Sequence, residues 1–111
     1  MSYYLYITRK LHWSDEGPNI TAKEWLGVIA DDPELELAGE NGEYFTNWLG
    51  ASTISEPWFN WSDGNIYATF PDKAQIAKVL EIASRLNAKV EGQDGEVYTA
   101  TGVVRKDAVG E

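Results

Sequence analysis

The chain has no cysteine, one histidine and one methionine in 111 residues, and no lysine or arginine between Glu24 and Asp72. Each absence closes off a class of function. Without thiols there are no disulfides and no thiolate metal sites, and a reducing compartment is compatible. The one histidine, His12, with Asp15 three residues on, makes at most half of a metal site, since roughly three converging donors are needed and no third is suggested. No apolar run approaches the roughly 18–20 residues of a membrane span, and the start MSYYLYITRK lacks the basic region and long apolar stretch of a secretory leader. A cytoplasmic protein with no membrane contact is the expectation. Neither a phosphate-binding glycine loop nor the spaced acids of a calcium loop is present. His12 lies near Ser14 and Asp15, but with no nucleophile turn or oxyanion feature beside them. No catalytic residue, metal ligand or cofactor is therefore assigned, and an enzyme is not expected.

What the chain does have is negative charge in one region. Eighteen acids against nine bases give a net charge of −9. Ten of the acids (Glu24, Asp31, Asp32, Glu34, Glu36, Glu40, Glu43, Glu56, Asp63 and Asp72) fall in the stretch without bases, and the remainder is close to neutral. Such a field repels phosphate backbones, which argues against nucleic acid, and steers a basic partner. The alternative is that surface acids only keep a small protein soluble.

The strongest local signal is WFNWSDGNIYATF, residues 58–70, where two aromatic and β-branched runs flank Asp63-Gly64. That dipeptide suits a two-residue type I′ hairpin turn, whose central residues both need positive φ. With Ser62 opposite Asn65, period-two alternation puts Phe59, Trp61, Ile66, Ala68 and Phe70 on one face and Trp58, Asn60, Tyr67 and Thr69 on the other. Burying the four large side chains of the first set is worth roughly 6–12 kcal/mol, at about 1.5–3 kcal/mol each. This hairpin is expected to form the core.

Around it, residues 2–8 alternate as a strand with Tyr3, Leu5 and Ile7 inward and Tyr4 and Tyr6 outward. Residues 9–19 read as a loop. Thr21 and Glu24 have the spacing of a capping box, with Ile20 and Trp25 as a hydrophobic staple, and Asp31-Asp32-Pro33 ends that helix. The two aspartates there are expected to be solvated turn residues. Leu35 and Leu37 are expected inward on a short strand, and Asn41-Gly42 reads as a second tight turn. A second helix has Asp72 as N-cap, the apolar stripe Ile76, Val79, Leu80, Ala83 and Leu86, a Glu81/Arg85 pair, and Asn87 as its stop. A last strand or hairpin spans residues 88–99.

The order of elements implies one α+β domain over residues 1–101. Its antiparallel sheet has about four to six strands, with both helices on one face, and a frayed tail follows over 102–111. The uncovered face then presents Tyr4, Tyr6, Trp58, Asn60 and Tyr67. Aromatic rings beside acids suit a protein partner, since Trp and Tyr are enriched at binding hot spots. The alternatives are that the 9–19 loop or a second copy of the chain covers this face. The expected partner-binding set is these five residues with Asp31, Asp32, Glu34, Glu36, Glu40 and Glu43.

The stretches PWFNWSDGNI and FPDKAQIAKVLEIASRLNAKVEGQDGEVY, with T-x-x-E-W-L at Thr21 and the Asp32-Pro33-Glu34 turn, resemble a group of small acidic bacterial proteins. That group is similar in turn to the immunity proteins that neutralise polymorphic or contact-delivered toxins. The resemblance implies a non-enzymatic protein that covers a toxin's basic surface. A homodimeric structural or regulatory protein using the open sheet face is the alternative, with a small ligand-binding enzyme behind it.

Overall fold

Asp63 and Gly64 have φ of 52° and 83°, the left-handed pair that a type I′ turn requires. They join the strands Trp58–Ser62 and Asn65–Thr69, whose register is Ser62↔Asn65, Trp61↔Ile66 and Asn60↔Tyr67. The computed structural model describes residues 4–50, 57–69, 73–99 and 102–104.

In chain order the elements are β1 (Tyr4–Thr8), α1 (Ala22–Asp31), β2 (Leu35–Leu37), a 3₁₀ turn (Gly39–Asn41), β3 (Thr46–Trp48), β4 (Trp58–Ser62) and β5 (Asn65–Thr69). They continue with α2 (Lys73–Arg85), β6 (Lys89–Gly92), β7 (Val97–Thr99) and β8 (Gly102–Val104). The fold is α+β. Its strands form one sheet in the order β2-β3-β4-β5-β1-β6-β7-β8, and every pairing is antiparallel. The eight strands among the described residues exceed the four to six expected: β3 and β8 have only three residues each, too short to alternate visibly, and β8 lies in the stretch read as a tail. β8 pairs with β7 in the stretch expected to fray. Tyr3, Glu56, Phe70, Asp72 and residues 105–111 lie outside the described residues, and so do the parts assigned to them above.

Alternation sorts the sheet into two faces. Leu5, Ile7, Phe59, Ile66, Ala68 and Val90 are buried on one side, together with Ile20, Trp25 and Val28 from α1 and its approach and Val79, Ile82, Ala83 and Leu86 from α2. Trp61 lies at the margin of this core, half-buried, with its indole Nε1 donating to the Ile20 carbonyl at 2.8 Å. Thr21 and Glu24 make both arms of the capping box. At the other end of the helical layer, Asn87 has φ of 52°, and Ala88 and Asn87 donate to the Ala83 and Ser84 carbonyls in a Schellman closure.

Two local expectations are corrected. Leu37 is 46% exposed, because β2 is the terminal strand and its second leucine runs past the core. Asn41-Gly42 is not a hairpin turn: the 3₁₀ turn occupies that position, and residues 38–45 together connect β2 to β3.

The β4–β5 turn and α1 predict opposite responses to the same substitution. At Gly64 an added Cβ would meet the Asn19 side chain, at 2.7 Å from its Cβ, and would sit at positive φ; at Gly27, inside α1, it meets nothing. Gly64→Ala should therefore lower unfolding free energy by about 1–2 kcal/mol. Gly27→Ala should raise it by about 0.5–1 kcal/mol. Urea denaturation of both variants checks the pair.

Candidate functional site

The face away from the helices is built by cross-strand register. Asn60 sits opposite Tyr67, and Tyr67 opposite Tyr6; Glu36 sits opposite Asn47, and Asn47 opposite Trp58. Along these rows the rings form a continuous ladder. Phe45 stacks on Trp58 at 5.0 Å, and Trp58 meets Tyr67 edge-on at 5.6 Å. Tyr67 meets Tyr4 at 5.9 Å, Tyr4 is 6.2 Å from Tyr6, and Tyr6 stacks on Trp13 at 4.3 Å with planes 7° apart. All of these rings are half-buried: held in place by their neighbours, yet still in contact with solvent. Asn60 Nδ2 donates to the Tyr67 hydroxyl at 3.1 Å, which fixes the centre of the ladder. Burial, followed by the neighbouring Tyr4 and Tyr67 phenols, pushes the Tyr6 phenol above its usual pKa, so it stays neutral at physiological pH.

The 9–19 loop reaches over one end of this face without closing it. Trp13 N donates to Glu91 Oε1 at 2.7 Å, Trp13 Nε1 donates to the Gln93 carbonyl at 3.0 Å, and Asn65 Nδ2 donates to the Trp13 carbonyl at 2.8 Å. Glu91 is fully buried beneath the loop, with Lys89 Nζ 3.1 Å from its other oxygen. Between the loop and the β4–β5 hairpin lies a cleft of about 720 Å³. Its walls include Tyr4, Tyr6, Trp13 and Tyr67, and Asp15, Glu16 and Asp63 also line it. No family model, curated protein or solved structure matches the chain.

Tyr4, Tyr6, Trp58, Asn60 and Tyr67 are thus brought together as expected, and Trp13 and Phe45 extend the set. Phe45 follows from alternation once Thr46 and Trp48 are known to be buried. Trp13 carries no periodic signal, because loop bonds place it. The acids are not gathered beside the rings. Glu36 alone shares a row with Trp58; Glu40 and Glu43 are exposed on the β2–β3 connection, and Asp31 is exposed at the end of α1, on the helix side.

Asp32 is not a solvated turn residue, nor is it open to a partner. Its side chain is 3% exposed, and Lys78 Nζ, itself 5% exposed, sits 2.6 Å away. Arg85 approaches the same oxygen at 3.1 Å. Glu34 accepts from Lys78 at 2.8 Å and from Trp48 Nε1 at 3.3 Å. A second clamp joins the start of α1 to the end of α2, where the Arg9 guanidinium forks onto both Glu24 oxygens at 2.8 and 2.6 Å and also donates to the Leu86 carbonyl. The Arg9 hydrogen bond is the main reason the Glu24 pKa falls to about 2.

His12 Nδ1 is 2.7 Å from Ser14 Oγ, but Asp15 accepts from the His12 backbone N–H instead of orienting the ring. Among the described residues no group of three or more potential metal ligands converges, and no helix is long and apolar enough to cross a membrane.

The Asp32 cluster predicts a pH profile. Burial alone would raise the Asp32 pKa, but the hydrogen bonds from Lys78 and the Glu34 N–H outweigh it and hold the pKa below the usual carboxylate value. Burial alone would lower the Lys78 pKa, and its bonds to Asp32 and Glu34 raise it instead. The Asp32 contribution is therefore complete above about pH 4 and lost as pH falls through its folded pKa. The Lys78 contribution is complete below about pH 10 and lost as pH rises through its own. Asp32→Asn should cost about 2–3 kcal/mol at pH 7, less than a fully orphaned buried ion because Glu34 remains, and should flatten the acid limb. Denaturation midpoints of the two chains at pH 7 and down the acid limb check both effects of this substitution.

Proposed function

We propose that the chain is a non-enzymatic cytosolic binding protein that receives a basic protein partner on the open face of its sheet. In its most concrete form it is an immunity protein that neutralises a bacterial toxin by covering the toxin's basic surface. The ladder of half-buried rings from Phe45 to Trp13 carries this reading. Rings already fixed by one another lose little freedom on binding, and Trp and Tyr supply most of the affinity held at protein interfaces.

Charge supports the same partner, though of the six acids the sequence suggested only Glu36 stands beside the ladder. The carboxylates beside the ladder are Glu36 at one end and Asp15, Glu16 and Asp63 at the other. Of the seven described lysines and arginines, Arg9, Lys78, Arg85 and Lys89 are ion-paired, and Lys10 is buried with its ammonium on the Asp63 carbonyl. The other two, Lys23 and Lys73, belong to α1 and α2, so among the described residues the open face is anionic, which speeds encounter with a cation and disfavours phosphate backbones.

Co-purification with the product of a neighbouring gene supplies the partner for the test. Trp58→Ala should then weaken binding by about thirtyfold or more, the loss of at least about 2 kcal/mol that marks a hot spot. Glu36→Lys should slow association and reduce its salt dependence, with little effect on dissociation. Binding unaffected by both changes would reject the open face as the site. A chain that pairs with itself through Trp58, with no other partner, would make it a homodimer surface instead.

A further inference from the structure

The cleft at the Trp13 end of the open face has features that a general docking surface does not need. Its volume, about 720 Å³, falls in the range of sites for small groups. Its walls combine aromatic faces with three carboxylates, of Asp15, Glu16 and Asp63, against the single ammonium of Lys10. That ammonium is buried and tied to the Asp63 carbonyl at 2.6 Å, so the cleft is anionic on balance.

A further observation is independent of charge. Asn65 lines the cleft and is only 4% exposed. Its Nδ2 is committed to the Trp13 carbonyl, which fixes the amide orientation, and its Oδ1 finds no hydrogen-bond donor among the described residues. Buried acceptors are nearly always paired, so this unpaired one, closed off from solvent in a residue of the cleft wall, marks a place that a ligand donor would complete once the wall yields to expose it.

We infer that this cleft is an anchor pocket for one arginine side chain of the basic partner. The inference rests on the reading of a basic protein partner given above. A guanidinium meets all three features together. It is planar and stacks on tyrosine and tryptophan faces, it carries the positive charge that Asp15 and Glu16 favour, and its five N–H groups supply the donor that Asn65 Oδ1 lacks. A lysine ammonium is a compact, strongly hydrated point charge and does not stack.

The test titrates Nα-acetyl-arginine amide into the ¹⁵N-labelled chain, with the neutral isostere Nα-acetyl-citrulline amide and with Nα-acetyl-lysine amide as separate arms. The arginine amide should shift the Trp13 indole and Asn65 side-chain amide resonances saturably. Citrulline amide, which lacks the charge, should bind about three- to thirtyfold more weakly, the range that cation–π contacts carry, and lysine amide, which does not stack, should also bind more weakly. The double substitution Asp15→Asn with Glu16→Gln, at two exposed positions, should weaken arginine amide binding while leaving the backbone spectrum in place. Equal binding of the three amides, or no saturable shift at the cleft, would overturn the pocket.

The co-purified partner separates this inference from the broader one. Affinity lost in Trp58→Ala but unchanged in the Asp15/Glu16 double variant overturns the arginine anchor and leaves the open-face reading standing, since Trp58 is not part of the cleft wall. Affinity unchanged in both overturns the two together.

Discussion

The positive φ of Asp63 and Gly64 is the constraint on which the rest of the structure depends. A two-residue turn allows one register, and side chains alternate with a period of two, so a slip of one residue would exchange the two faces of the hairpin. With Ser62 opposite Asn65, Phe59 and Ile66 enter the core under the helices while Trp58, Asn60 and Tyr67 are left on the other side. β1 adds to β5 with Tyr6 opposite Tyr67, and β3 adds to β4 with Asn47 opposite Trp58, so the sorting spreads through the sheet. Asn19 packs against Gly64, and Ile20 N–H donates to the Gly64 carbonyl, so the same turn also sets where the 9–19 loop must end.

The helical layer is held by charge as well as by apolar burial. Lys78 and Arg85 on α2 converge on Asp32 at the end of α1, and Arg9 joins β1 to Glu24 and to the C-terminal carbonyl of Leu86. These contacts explain why Asp32 sits at a helix C-terminus, where the macrodipole opposes it. They also redistribute the acidic field. Cations from α2 offset Asp32 and Glu34 within the fold, whereas the face bearing the rings keeps Glu36, Asp15, Glu16 and Asp63.

Much of this was legible in the sequence wherever a signal is local. The Asp-Gly turn, the Thr21/Glu24 capping box, the Asn87 stop and the face assignment of Tyr4, Tyr6, Trp58 and Tyr67 each depend on residues a few positions apart. What was not legible depends on distant partners. Asp32 and Lys78 are 46 positions apart, so the aspartate read as solvated. Trp13 reaches Glu91 and Gln93 across 78 and 80 positions, which no pattern within its own loop announces. β3 and β8, of three residues each, carry too little alternation to be counted, which is why the sheet is larger than expected.

A sheet with one helix-covered face and one open aromatic face predicts which tryptophans a solute can touch. Flavin-sensitised photochemically induced nuclear polarisation measures this directly, because only rings accessible to the dye are polarised. Trp58, Tyr4 and Tyr67 should give strong signals, and Trp25, fully buried in the core, should give none. Silent Trp58 and Tyr67 in the monomeric chain, or a polarised Trp25, would contradict the division of the sheet into a covered and an open face.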